Sequence, residues 1–419
     1  MVNDLLPKKA YDPYMALRVP AFRSLLISRS TFTIAMQMVA VVVGWQIYDL
    51  TKDPLLLGLT GLFEAIGYVG VAFISGSIVD RGDAKNILQK TFLAKIILIT
   101  GMIFLTATNH ADSDRFLYAT YFLLFSIGLC RGFYSPSTFT LLSSVVPKES
   151  MLNASTWNSS FWQLAFITGP TLGGLCYAFK GALFAYSVAL IVLIGGFISL
   201  FFIKILNHEK DLKAQALESF SDRIFGGMKF VFHHKLLLWA MSLDMFAVLF
   251  GGAVALLPMF ASDILKVGPT GLGILRASPA IGSALMGFLL AYLPPMKNAG
   301  KNMLIAIGGF GLCMLSFALS KNIYLSFLFL ALSGACDNIS VIVRQTILQM
   351  HTPENMRGRV AAVGTIFISS SNEIGAFESG LSAKFLGAVG SVLFGGTMTI
   401  CIVLFSWFKS SELRKLKFD

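Results

Sequence analysis

Ten ionisable side chains interrupt stretches that are otherwise apolar: Arg29, Glu64, Lys95, Arg131, Asp244, Arg276, Asp337, Arg344, Glu373 and Glu378. Burying such a group in hydrocarbon costs about 2.5 to 3.5 kcal/mol on insertion scales, so it normally turns to a partner or to a water-filled path. The chemistry open to it there is ion pairing and proton exchange. Arg131 and Asp337 carry opposite charges near the middle of two spans, and an ion pair between them would open on protonation of Asp337. Glu64, Glu373 and Glu378 are the other candidates, because a membrane glutamate without a cation partner can carry a proton. Glu373 lies about 140° around a helix from Glu378, so both cannot face one cavity. Lys95, Arg276 and Arg344 lie within a few turns of a span end, where a long side chain can snorkel to the interface.

The elements that must position these groups follow from composition. Of 419 residues, 55% are hydrophobic and 13% charged, against roughly half and a quarter in soluble domains, which excludes a soluble protein. Apolar runs long enough to cross a ~30 Å hydrocarbon core recur throughout. They read as twelve spans: 21–48, 54–79, 87–108, 116–146, 152–179 and 182–203, then 236–260, 270–293, 303–319, 324–349, 360–385 and 389–407. The predicted fold class is therefore an all-α membrane protein of two six-helix bundles, 1–206 and 236–419. A cytoplasmic linker, 207–235, joins them. Within it Ile224, Phe225, Met228, Val231 and Phe232 paint one side of a helix lying on the leaflet. No cleavable leader is evident at the N-terminus.

A net charge of +11 invites a nucleic-acid reading, but position argues against it. Most of the Lys and Arg lie at the termini or in every second loop, while only Lys52, Arg115, Lys180, Lys266, Lys321 and Lys384 lie on the other side. That is the positive-inside distribution of a multi-pass protein with both termini cytoplasmic. The five cysteines sit in apolar runs without C-x-x-C spacing and read as small packing residues. The five histidines form no ligand spacing, so no metal site is expected. No phosphate-binding loop is present, and no cofactor is expected; energy would come from a proton gradient.

Sliding the chain against itself by 206 positions lays Pro147 on Pro353, Gly169 on Gly375, Gly174 on Gly380 and Gly181 on Gly387, and Arg131 on Asp337. A second offset lays Gly58 on Gly273. Such matches imply two related halves, the architecture of a secondary transporter with a midplane site.

After the second span, Gly76-Ser77-Ile78-Val79-Asp80-Arg81-Gly82-Asp83-Ala84-Lys85 resembles the loop signature of the major facilitator superfamily, with Asp83 where a glycine is usual. The resemblance implies a gate closed by Asp80 and Arg81, with Gly76 allowing close approach and Lys85 as the terminal base. Gly169-Pro170-Thr171-Leu172-Gly173-Gly174 resembles the tail of the antiporter motif of proton-driven exporters, although Ala165 and Thr156 stand where upstream glycines belong. Gly169, Gly173 and Gly174 would let the fifth span pack on its partner in the other half, and Pro170 would bend it.

Val41 to Asp49 running into Leu57 to Gly61, Gly273 to Pro279, Val343 to Thr346, Met356 to Val360 and Ser371 to Gly380 resemble a narrower branch, that of enterobactin exporters and macrolide efflux proteins. In that fold the first, fourth, seventh and tenth helices line the cavity, which places Arg29, Gln37, Asp244, Arg131 and Asp337 on the substrate path. Together these readings imply a monomeric, proton-coupled exporter of a bulky organic molecule, siderophore or drug, in a bacterial inner membrane. Its partners would be cargo, protons and lipid, without nucleic acid. The alternatives are a facilitator or importer of lysolipid or another solute, and a transport-dead receptor or scaffold, against which the retained membrane charges argue.

Overall fold

The computed structural model describes residues 12–108, 113–147, 150–204, 220–292, 296–353 and 356–417. Local signals set the helix ends. Helix α1 (Pro20–Thr51) starts on a proline, whose missing N–H is an orphan at that position anyway. It stops where Lys52 turns left-handed, with its N–H on the Tyr48 carbonyl. Asp53 then accepts the Leu55 N–H at 2.8 Å and opens α2 (Pro54–Arg81). Asp83 does the same for α3 (Ala84–Thr108), accepting the N–H groups of Lys85 at 2.9 Å and Asn86 at 3.3 Å. The residue that departs from the loop signature is thus a helix cap.

Helices α4 (Ser113–Val145) and α5 (Met151–Phe201) follow. α5 breaks at Lys180 and Gly181, where Gly181 has φ 76°. Past the linker come α6 (Phe220–His233) and α7 (Lys235–Gly251). The span of α7 continues through a 3-10 turn at Ala253–Leu256 and a π-helical turn at Phe260–Ile264. The last five are α8 (Gly268–Tyr292), α9 (Ala299–Leu319), α10 (Ile323–His351), α11 (Arg357–Lys409) and the short α12 (Ser411–Lys415). Helix α11 breaks at Gly387, φ 72°. Positive φ costs a glycine little. Each of these long segments is thus two helices joined at non-helical residues, Lys180 and Gly181 in one and Gly387 in the other, where the sequence separates its spans, and the two glycines fall on one another at the offset of 206. Ten segments of the described chain are long and apolar enough to cross a membrane.

Four buried clusters hold the helices together. The largest joins α1, α3, α4 and α5 around Phe22, Phe32, Met38, Phe92 and Tyr186. A second spans both halves at the end where α1 finishes, with Val41, Tyr48 and Leu57 on Leu257, Phe260 and Phe317. The third packs α7, α9, α10 and α12. In the fourth, Val231 of α6 is fully buried against Met241, Val360 and Val363. Part of the linker's apolar stripe therefore seats on α11 instead of facing lipid, while Phe232 stays exposed. Phe104, Phe139, Phe179, Phe288, Phe385 and Phe408 are at least two-thirds exposed on the outer surface, as hydrocarbon solvent permits.

The halves meet along two seams, α2 on α11 and α5 on α8. A Cβ on Gly58 would lie 2.9 Å from the Gly380 Cα, and one on Gly174 3.0 Å from the Gly273 Cα. The other motif glycines act elsewhere: Gly169 faces Gln37 and Ile34, and Gly173 faces Met38, all on α1. Only Gly174 of the three, together with the Pro170 carbonyl that Gly273 approaches, serves the seam between halves, contrary to the expectation that all of them would. Periodicity places these glycines on a helix without saying which neighbour each side meets.

Candidate functional site

Arg131, at mid-length of α4, does not meet Asp337. Its Nη1 donates to Glu64 Oε1 of α2 at 3.1 Å and to Glu373 Oε1 of α11 at 2.6 Å. The ring of Tyr68 lies under the guanidinium, 5.3 Å away. One guanidinium thus holds a carboxylate from each half, a charge-assisted arrangement stronger than a neutral hydrogen bond. Glu64 and Glu373, expected as unpartnered acids, share a cation that sequence distance concealed.

Two more cations stand close by, and neither snorkels. Lys95 is 1% exposed, with Nζ 3.3 Å from the Met36 sulfur and 5.2 Å from the Phe32 ring centroid. Arg276 of α8 donates to the Ala40 carbonyl of α1 at 3.2 Å, a second bond between halves. Both lie within electrostatic reach of Glu64, and Arg276 also of Glu373. The span-end argument failed because packed helices enclose Lys95 and because the Arg276 guanidinium turns to the α1 backbone.

A second polar cluster lies in the second half. Arg344 of α10 donates to Asp244 of α7, each side chain 6% exposed, and Ser340 donates to the same carboxylate at 3.2 Å. Asp337 lies within electrostatic reach of both, with no hydrogen bond or ion pair of its own among the described residues. The pair lines a cavity of about 690 Å³ with Met241, Met245, Gln345, Gln349 and Phe367. Trp45 packs on the second apolar cluster beside Tyr177, and Gln46 bonds Thr106 and Tyr186 inside the first half.

The remaining predicted residues are spread out. Gln37 sits in the α1–α5 contact under Gly169. Arg29 neighbours the Tyr134 hydroxyl. Glu378 stands beside Ser382 and has no ion pair among the described residues. Gly76 is helical within α2, the side chains of Asp80 and Arg81 lie outside the described residues, and Lys85 donates to the Ile203 carbonyl at the end of α5 at 2.7 Å.

The sequence reading missed Tyr48 and Asp263, whose side chains hydrogen-bond α1 to the π-helical turn of α7. Beside them Lys384 of α11 approaches Asp53 at 3.9 Å. These contacts, with Gly58 on Gly380, seal the end of the molecule where α1 finishes. Tyr48 stands in a motif already noted, but Asp263 fell beyond the seventh apolar run and read as loop. Tyr48→Phe should loosen this seal: maleimide labelling of a cysteine placed at Leu265 should quicken several-fold in membranes, with expression unchanged. Equal labelling rates would assign the bond no sealing role.

The described residues form helices with charges paired across them and a cavity among them, and the family and relatives that the chain matches are multi-pass membrane transporters and not enzymes. The chain belongs to the transmembrane secretion effector family of the major facilitator transporters, whose profile matches residues 11–417. It is 26% identical over 403 residues to the enterobactin exporter EntS of Shigella flexneri, covering 95% of this chain and 93% of that one. Among solved structures it is similar to an inward-facing, occupied bacterial homologue of the human lysosomal transporter Spinster, with TM-score 0.69 and 16% identity over 98% of this chain and 99% of that one. It is similar also to an inward-facing bacterial homologue of the iron transporter ferroportin, with TM-score 0.67 and 15% identity over 92% and 99%.

Proposed function

We propose that this transporter is a proton-coupled exporter of a bulky organic molecule, of siderophore or drug type, working by alternating access in a bacterial inner membrane. The observation that carries the reading is Arg131 held between Glu64 of its own half and Glu373 of the other. A proton on Glu373 removes the charge that ties α4 to α11, and Arg131 stays neutralised by Glu64, so release strands no lone charge. The halves are then free to rock, and return of the proton to the opposite side closes the cycle. The EntS relatives are named for export of enterobactin, which favours the outward direction and an acceptor-rich cargo.

In this proposal α5 and α11 each contribute two spans about Gly181 and Gly387, giving twelve in two six-helix bundles, 1–206 and 236–419, joined by 207–235. Lys85, Lys297, Lys301 and Arg359 mark the cytoplasmic side, with both termini. The protein acts as a monomer.

The test is cargo flux from proteoliposomes at fixed membrane potential, with catecholates and macrolides as candidate cargoes and a pH step applied in each direction. Acid on the side that receives cargo should raise efflux several-fold, and Glu373→Gln should erase that response while leaving downhill flux. Flux that ignores both steps in active protein would refute proton coupling.

A further inference from the structure

We propose that the cavity between α7, α10 and α11 is a binding site for an organic acid with a large apolar body, held by Arg344 in competition with Asp244. This rests on the reading of the chain as a carrier of bulky organic cargo, and locates where such cargo sits and what charge it bears.

The volume, about 690 Å³, is within the range of sites for small organic molecules. The wall is set by three helices of one half. Met241, Met245 and Met350 supply unbranched, polarisable side chains that adapt to an irregular body, and Phe367 supplies a flat face. Gly364 leaves room at the wall: a Cβ there would only touch the Met241 methyl at 3.6 Å.

Arg344 is the anchor. Its side chain is only 6% exposed, yet of its three guanidinium nitrogens only Nη1 has a hydrogen-bond partner among the described residues. The other two have none among those residues, and Arg344 lines this cavity. A guanidinium offers five N–H donors in a fork that fits a carboxylate or a pair of vicinal oxygens. Asp244, by contrast, has both oxygens engaged, one by Ser340 and one by Arg344. The unsatisfied capacity at the cavity is therefore for an acceptor, and an entering anion competes with Asp244 for the same cation. Asp337, within reach of both but not on the cavity wall, opposes any anion there.

These roles give changes of opposite sign. With the full chain in nanodiscs, dansylaminoundecanoic acid is titrated and read by dansyl fluorescence, with its methyl ester and dansylcadaverine as the uncharged and cationic comparisons. Protein-free nanodiscs of the same lipid supply the blank for partition, and Gly364→Leu narrows the cavity while leaving the ion pair alone. The acid should bind saturably to the native chain and the two comparisons at least tenfold more weakly. Arg344→Gln should weaken the acid at least tenfold, and Arg344→Lys less. Asp244→Asn and Asp337→Asn should each tighten it several-fold.

A merely structural ion pair predicts that Asp244→Asn and Arg344→Gln both lose binding, and a cation site predicts that dansylcadaverine binds best. Either outcome overturns the proposal, as does binding of the acid with an affinity that Gly364→Leu leaves unchanged. Thermal melting of each variant identifies misfolding, and where Asp244→Asn does not fold, Asp337→Asn carries the same sign. The titration uses no gradient, so its failure leaves proton coupling standing, and loss of proton coupling leaves this site standing.

Discussion

Arg131→Gln should abolish accumulation of cargo against a gradient and lower the melting temperature. The substitution leaves Glu64 and Glu373 facing each other without a cation. Loss of one partner from a fully buried ion pair costs about 3 to 5 kcal/mol, and the side chain of Arg131 is 36% exposed, so roughly 2 kcal/mol is expected. Adding Glu64→Gln and Glu373→Gln removes both stranded carboxylates, and the triple variant should regain stability together with passive downhill exchange. A double-mutant cycle in melting free energy should give Arg131 and Glu373 a coupling on the order of 1 to 2 kcal/mol, whereas Arg131 and Asp337 should be additive within about 0.5 kcal/mol. Coupling of Arg131 to Asp337 instead would show that the two charges meet in another state of the cycle and that the Glu373 bond is secondary.

Gly58→Val should bring transport close to zero. Its new Cβ would stand 2.9 Å from the Gly380 Cα and 3.1 Å from the Ala376 carbonyl oxygen, both backbone atoms that cannot turn aside. Close-packed interiors transmit such strain, and overpacking costs about 1 to 3 kcal/mol. Helices α2 and α11 must separate there, which opens the end that Tyr48 and Asp263 close. Gly174→Val strikes the other seam, where the Pro269 carbonyl oxygen would be 2.4 Å from the new Cβ, and should do equal harm. Gly70→Val, on the same helix as Gly58 but with nothing within 4 Å, is the control and should retain most activity. If all three behave alike, valine in these helices is harmful in general and the seams hold no special place.

Much of the scaffold was legible because hydrocarbon demands long apolar helices, and the ends of those helices carry their own signals, Pro20, Asp53, Pro54 and Asn322 among them. The ten membrane charges were legible for the same reason of cost. Their partners were not. Arg131 and Glu373 are 242 residues apart, and two opposite charges at matching places in a repeat look like mates although the fold pairs Arg131 with Glu64 and Glu373 and leaves Asp337 without an ion pair among the described residues. Arg344 read as a snorkelling cation, and only the turn of α10 toward Asp244 shows it buried. Asp263 was invisible because a π-helical turn carries the seventh span past the point where its apolar run ends.

The four seam glycines have a genetic consequence. Gly174 and Gly380 fall on one another when the chain is slid against itself at one offset, and Gly58 and Gly273 at another. Each contact in the folded chain joins one glycine of the first pair to one of the second. The two gene segments therefore cannot drift apart freely at these codons, since a side chain gained in either segment collides with backbone encoded by the other. Directed evolution for new cargo should leave these four codons fixed and place its diversity at Met245, Gln345 and Gln349, which line the cavity without being buried in the core.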